Sequence, residues 1–256
     1  MTDMLEFDAP KQRASIIKVL GVGGGGSNAV SHMYQQGIKG VDFIICNTDS
    51  QAMDISPIPN KIQLGTKGLG AGAIPEVGRK SAEENIEDIR AILESNTKML
   101  FITAGMGGGT GTGAAPVIAQ MARDMDILTV AIVTLPFSFE GRKRRLQAEK
   151  GIEELKKHVD TLLIISNEKL REIHGNLKLS EAFGKADDIL TIASKGIAEI
   201  ITVTGYINVD FEDVKTVMKE SGTAIMGSAT AEGEDRAKVA VREALSSPLL
   251  NDNKIT

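Results

Sequence analysis

The 256 residues, 42% of them hydrophobic, supply enough apolar side chains for one large domain or one domain with an appendage. A formal charge of −5, with a single dense basic run at Arg142-Lys143-Arg144-Arg145, argues against nucleic acid as the main partner, because phosphate-backbone binding rests on clustered Lys and Arg. The start Met1-Thr2-Asp3-Met4-Leu5-Glu6-Phe7 has no basic region leading into an apolar core, and no later apolar run approaches the ~20 residues that span a bilayer. A cytoplasmic chain without direct membrane insertion is therefore expected.

In chain order, residues 1–15 read as a flexible lead-in, and Ile16 to Val22 as a buried strand. The strand runs into Gly21-Val22-Gly23-Gly24-Gly25-Gly26-Ser27-Asn28, then a helical stretch from about Ser27 to Gln36. Its first six residues fit G-x-G-x-x-G, in which glycines let backbone approach a phosphate at a helix N-terminus. With Asp49 beyond the next strand, Val41 to Cys46, the pattern also suits a dinucleotide-binding unit whose acid meets the ribose. Cys46 ends an apolar run and reads as a packed hydrophobe without redox chemistry. His32, His158 and His174 have no second ligand at metal spacing, so no zinc site is expected.

A helix is predicted over Pro75 to Glu94, followed by the strand Met99 to Ala104. That strand empties into Gly107-Gly108-Gly109-Thr110-Gly111-Thr112-Gly113 and a helix from Ala114 to Arg123. Glycines and two hydroxyls let backbone N–H groups close on an anion, and the helix N-terminus adds about half a positive charge. A dinucleotide pyrophosphate needs one such cradle, whereas a nucleoside triphosphate can engage loops from several strand ends, so two loops favour a triphosphate. The common loop G-x-x-x-x-G-K-[ST] is absent, since Gly184-Lys185 is followed by Ala186.

Ile127 to Val133 and Thr161 to Ser166 are the remaining predicted strands, with a helix from Gly141 to His158 between them. The basic run at the start of that helix opposes its dipole and asks for an anionic partner, a role assigned to Arg144. Strands alternating with helices predict an α/β fold, a Rossmann-like parallel sheet with helices on both faces and ligands beyond the carboxyl ends of the strands. A long helix follows from about Ser180 to Val203, with Ser180 as N-cap and Gly205 as stop. Its length of roughly 36 Å carries the chain from the nucleotide end of the sheet to the opposite end. Asp210 and Asp213 come after it, too far to touch a phosphate held by their own chain; read alone, they suit a helix cap and a surface acid. Helices are expected from Phe211 to Lys219 and Glu234 to Leu245.

The Gly107 to Gly113 run matches the signature of the tubulin superfamily, and the chain from about Lys18 to Leu250 resembles the FtsZ family of bacterial cell-division GTPases. The similarity includes Asn47-Thr48-Asp49, Gly68-Leu69-Gly70-Ala71-Gly72-Ala73, Pro136-Phe137-Ser138-Phe139-Glu140-Gly141-Arg142, Asn208-Val209-Asp210-Phe211-Glu212-Asp213 and Ser246-Ser247-Pro248-Leu249-Leu250. The resemblance implies Gly24, Gly25, Gly26, Ser27 and Asn28 at the first phosphate loop, Gly109, Thr110 and Gly111 in the second, and Gly72 with Ala73 near the γ-phosphate. It implies Glu140 and Arg144 at the ribose or phosphates, and Asn167, Phe183 and Asp187 around guanine, the ring stacking and the acid accepting from N–H donors. Mg2+ is implied beside GTP or GDP, held through phosphates and water rather than a protein carboxylate cage.

Family resemblance also implies head-to-tail self-assembly into filaments, in which Asp210 and Asp213, with Asn208 shaping their loop, act on the nucleotide of the adjacent subunit. It implies a mid-cell division ring, and division-ring and membrane-tether partners reached through a C-terminal tail. The expected organisation is a lead-in (1–15), a GTP-binding domain (16–179), a long central helix (180–204), and an acidic loop opening a second domain (205–256). Members of the family continue past Leu250 into a sheet-containing domain, a linker and that tail, so a shortened second domain without the tail is expected. Besides an assembly-dependent GTPase, a nucleotide-binding unit that does not polymerise and a Rossmann-type dehydrogenase remain open.

Overall fold

The computed structural model describes residues 15–175, 178–202, 210–227 and 229–245. Its centre is a parallel sheet whose first strand, β1 (Ile17–Val22), is buried at all six positions. Such continuous apolar runs, rather than alternating ones, are what a strand covered on both faces requires. The other strands are β2 (Asp42–Asn47), β3 (Asn60–Gln63), β4 (Met99–Gly105), β5 (Leu128–Leu135), β6 (Thr161–Ser166) and β7 (Gly222–Ala224). Among the described residues they form one sheet of seven strands in the order β3-β2-β1-β4-β5-β6-β7, and all neighbours are parallel. Strand order reverses direction between β1 and β4, the switch point where doubly wound sheets open a crevice.

Successive side chains feed two cores. Leu20, Leu100 and Ile102 face one side, against α4 (Ile86–Glu94), α5 (Thr110–Asp124) and α6 (Arg142–Leu155). Val19, Phe101 and Val130 face the other, against α1 (Gly23–Gln35) and α8 (Leu179–Thr202). Each fully buried side chain of this size contributes about 1.5–3 kcal/mol relative to exposure. Two sided burial thus fixes register as well as stability, because a one-residue slip would exchange the cores.

Several boundaries differ from expectation for local reasons. Both helices after the glycine loops begin inside the loops, at Gly23 and Thr110. Helix can start there because the residues have no side chain to collide: a Cβ on Gly26 would lie 2.3 Å from the Thr103 carbonyl oxygen, and one on Gly113 1.9 Å from that of Pro75. The stretch expected as one helix from Pro75 to Glu94 is α3 (Pro75–Glu84) and α4, broken at Asn85. Asn85 Oδ1 accepts from the Gly65 N–H at 2.8 Å and its Nδ2 donates to Asp88 at 2.8 Å, so its side chain competes with the helical backbone. Short elements were not anticipated: α2 (Ser50–Asp54), β3, α7 (Asn167–His174) and β7 have too few apolar residues to show a period.

Helix α8 packs on α1 and β5. Lys178, not Ser180, sits at its N-cap, since the Ala182 N–H bonds to the Lys178 carbonyl and Glu181 Oε2 accepts from the Lys178 N–H at 3.1 Å. Thr202, at its other end, reaches the Lys39 carbonyl just before β2, which places that end at the amino edge of the sheet. There α9 (Phe211–Met218) leads into β7, whose Gly222 pairs with Thr161 at the start of β6. The final described helix is α10 (Arg236–Leu245). The expected stop at Gly205 lies outside the described residues.

Candidate functional site

Loops from the carboxyl ends of β1, β2, β4, β5 and β6 surround a cleft of about 500 Å3. Gly24 and Gly25 line it from the β1–α1 turn, and Gly108, Gly109, Thr110 and Gly111 from the β4–α5 turn. Neither α1 nor α5 has an acid in its first turn, so their N–H ends face the cleft with the dipole uncompensated. Backbone donors and positive helix ends together make this an anion site. Two short bonds set the loop shape: Thr48 Oγ1 lies 2.6 Å from Thr110 Oγ1, and Thr112 Oγ1 accepts from the Gly107 N–H at 2.8 Å.

A third loop contributes Gly70, Ala71 and Ala73 to the wall. Gly70, Gly72 and Ala73 all have positive φ, of 79°, 56° and 57°. Glu140 and Arg144 line the cleft as a pair, Arg144 Nη1 lying 2.7 Å from Glu140 Oε2, while Glu140 Oε1 accepts from the Phe137 N–H at 2.9 Å. Arg144 thus keeps its charge at the cleft with a carboxylate already beside it.

At the other end stand Asn167 and Phe183. Asn167 is buried in the wall of the cleft, and its Oδ1 has no hydrogen-bond partner. Phe183 meets Phe137 edge-on at 5.2 Å, and Phe137 stacks on Phe139 at 5.0 Å, which fixes the Phe183 ring while leaving it 40% exposed. Asp187 follows Phe183 by one helical turn and is half-buried. Burial pushes its carboxyl up to about 6, with His32 opposing and Asp188 reinforcing the shift. His32 Nε2 in turn lies 2.9 Å from Asp188 Oδ1.

Of the residues anticipated for the ligand, Gly24, Gly25, Ala73, Gly109, Thr110, Gly111, Glu140, Arg144, Asn167 and Phe183 are brought together around the cleft. Gly26 and Ser27 are buried beneath the first loop, and Asn28 is exposed outside the wall. Gly72 and Asp187 flank lining residues without lining the cleft themselves. Asp210 and Asp213 are at the opposite edge, where each carboxylate accepts the other's backbone N–H, at 2.9 and 3.3 Å, in a capping box on α9. Asn208 lies outside the described residues. The sequence assigned no ligand role to Asn47, Thr48, Gly105, Thr134 and Pro136, and gave Asp49 only as the ribose acid of a dinucleotide-binding unit, although all six line the cleft. Their position at strand carboxyl ends was the available signal.

Among the described residues, no group of three or more His, Cys, Asp or Glu could hold a metal ion, and no helix is long and apolar enough to cross a membrane.

Residues 16–175 match the family model described as the Tubulin/FtsZ family, GTPase domain. The chain is 56% identical over 244 residues to a cell division protein FtsZ of Porphyromonas gingivalis, covering 94% of this chain and 53% of the relative. It is 56% identical over 242 residues to the corresponding protein of Wigglesworthia glossinidia brevipalpis, covering 93% of this chain and 63% of the relative. A solved structure described as an empty FtsZ dimer from M. jannaschii superposes with a TM-score of 0.89 at 47% identity, over 94% of this chain and 71% of that one. The chain thus spans between about half and two thirds of the length of these curated relatives.

Proposed function

Since the chain belongs to the Tubulin/FtsZ family, we propose that it binds GTP in the cleft and hydrolyses it only when a second copy supplies the acids of its α9 edge. One observation carries this reading: the cleft and the Asp210–Asp213 pair lie at opposite ends of the 24-residue α8, about 36 Å apart along the helix. No single molecule can close that distance. A head-to-tail contact can, and because its two surfaces differ it repeats into a filament.

In this proposal the amides of Gly24, Gly25 and Gly109 to Gly111 receive the phosphates, and Glu140 with Arg144 the ribose and its neighbouring phosphate. Guanine lies on Phe183, with Asn167 Oδ1 and the ionised Asp187 carboxylate accepting from the N–H groups of the base. Gly26, Ser27 and Asn28 shape the first turn, and Gly72 with Ala73 approach the terminal phosphate. The cleft offers amides and hydroxyls with few carboxylates, so Mg2+ fits as an ion carried by phosphate oxygens and water, offsetting charge on the triphosphate. Asp210 and Asp213 of the adjoining copy orient the attacking water, with Asn208 supporting their loop. Phosphoryl transfer depends chiefly on positioning and charge, so a site divided between molecules stays inactive until both halves meet.

The reading extends to a cytoplasmic filament at the division ring, whose other partners are division-ring and membrane-tether proteins. Its dimeric relative from M. jannaschii supports the self-association. The test is to titrate GTP, ATP and NAD by calorimetry with Mg2+ present, then measure GTP turnover against protein concentration. Selective GTP binding with turnover per molecule rising with concentration is expected. NAD binding with GTP ignored would overturn the reading, and GTP binding with turnover flat in concentration would leave a nucleotide-binding unit that does not assemble.

A further inference from the structure

The loop from Gly70 to Ala73 is held in a conformation that one of its residues disfavours. Ala73 has φ 57°, where an L side chain crowds the following carbonyl. Such a residue persists only where its surroundings determine it. The Gly70 N–H donates to the Thr48 carbonyl at 2.9 Å, which ties the start of the loop to the end of β2, and the Ile74 N–H donates to the Ala71 carbonyl at 3.0 Å. From α6, Gln147 Nε2 donates to the Ala73 carbonyl at 3.2 Å.

Gln147 is placed for that bond. Its Oε1 is buried with no partner, so the amide satisfies the loop's carbonyl while one of its own polar atoms goes unmet. An amide retained for its own stability would pair both atoms. Helix α6 also carries Arg144, one turn earlier, on the cleft wall, and the backbone of Arg144 abuts Gly107, where a Cβ would lie 2.8 Å from the Arg144 carbonyl oxygen. One helix therefore backs both the second phosphate loop and the third.

We propose that Gln147 is a positioning residue that holds Ala73 left-handed and keeps the Gly70–Ala73 loop over the terminal phosphate of a bound triphosphate. It rests on the reading of the cleft as a GTP site. Because a diphosphate does not reach that loop, losing the Gln147 bond should weaken GTP and spare GDP. In this way α6 would respond to the terminal phosphate through Gln147 and to the rest of the nucleotide through Arg144.

The test uses Gln147→Leu and the near-isosteric Gln147→Glu, both of which remove the donor, with GTP and GDP affinities measured by calorimetry. Loss of one hydrogen bond predicts GTP binding about fivefold weaker in each, with GDP within about twofold. Adding Ala73→Gly to Gln147→Leu should restore most of the GTP affinity, because glycine accepts positive φ without help. A merely structural role in α6 would not be rescued by a change in the loop. Equal losses for GTP and GDP, no loss for either, or no rescue by Ala73→Gly would overturn the proposal. Failure of the unaltered chain to bind GTP would instead remove the functional reading on which it stands.

Discussion

The two edges of the sheet treat their polar groups in opposite ways. At the carboxyl edge, helix N-termini without first-turn acids face the cleft beside a buried amide oxygen that has no partner. At the amino edge, charges are taken up by one another. Asp126 lies within 3.7 Å of Lys215 and 3.5 Å of Lys219, and those lysines hold its carboxyl below the usual range. Asp160 accepts from the Thr129 and Glu220 N–H groups, and Asp210 and Asp213 cap α9. One edge thus leaves uncompensated helix ends around a cleft, while the other has its acids already paired with lysines or backbone N–H groups.

The largest expected effect comes from closing the backbone that shapes the carboxyl edge. Gly113→Ala would drive a Cβ into the Pro75 carbonyl, 1.9 Å away, and should cost about 3 kcal/mol or more, read as a collapse in thermal stability. Gly108 has nothing within 4 Å of a Cβ, so Gly108→Ala should keep the melting temperature within about 2 °C and show its effect in nucleotide affinity. Equal destabilisation by both would break the distinction between packing glycines and ligand-facing ones.

Next in size is the separation of binding from turnover. Asp210→Asn should lower GTP turnover by about tenfold or more while leaving GTP affinity within about twofold, since an amide can still cap α9 but carries no charge. A matching fall in affinity would place the acid in its own molecule's cleft and undo the comparison.

A smaller effect should appear in pH. With a folded value of about 6 against an ordinary 3.8, Asp187 favours folding fully below about 4, and that contribution is lost as pH rises through 6. In the nucleotide-free protein, Asp187→Asn should therefore raise stability by about 1–2 kcal/mol at pH 7.5 and little at pH 4. GTP affinity should run the other way, rising as pH increases through 6 because the base needs the ionised acceptor. A pH-independent affinity would take Asp187 away from guanine. Smallest is the cap itself: Asp210→Ala should cost about 1 kcal/mol by chemical denaturation.

The glycine cradles, the strands β1, β2, β4, β5 and β6, and the long helix α8 were legible in the chain because each has a local cause. Those strands are runs of apolar residues, and α8 keeps one apolar stripe for its whole length. The edge strands β3 and β7 were not legible, since Asn60–Gln63 and Gly222–Ala224 owe their strand form to partners in β2 and β6. In the site, Gly24, Gly109 and Phe183 could be named from motif and resemblance, yet Thr134 and Gly105 are ordinary residues made into walls by where their strands end. Gln147 shows the same limit: no motif contains it, and its role follows from a bond across 74 residues.

By itself the sequence determined the five central strands and the long helix α8, where backbone would be open to an anion, and which family the chain resembles. These follow from side-chain size, periodicity and glycine's freedom, all local to a few residues. Tertiary structure alone decided distances and protonation: that Asp210 and Asp213 sit a helix length from the cleft, that burial pushes the Asp187 carboxyl up to about 6, and that Gln147 bonds the Ala73 carbonyl. Distance and burial depend on which elements pack against which, and that is a property of the whole fold rather than of any stretch of it.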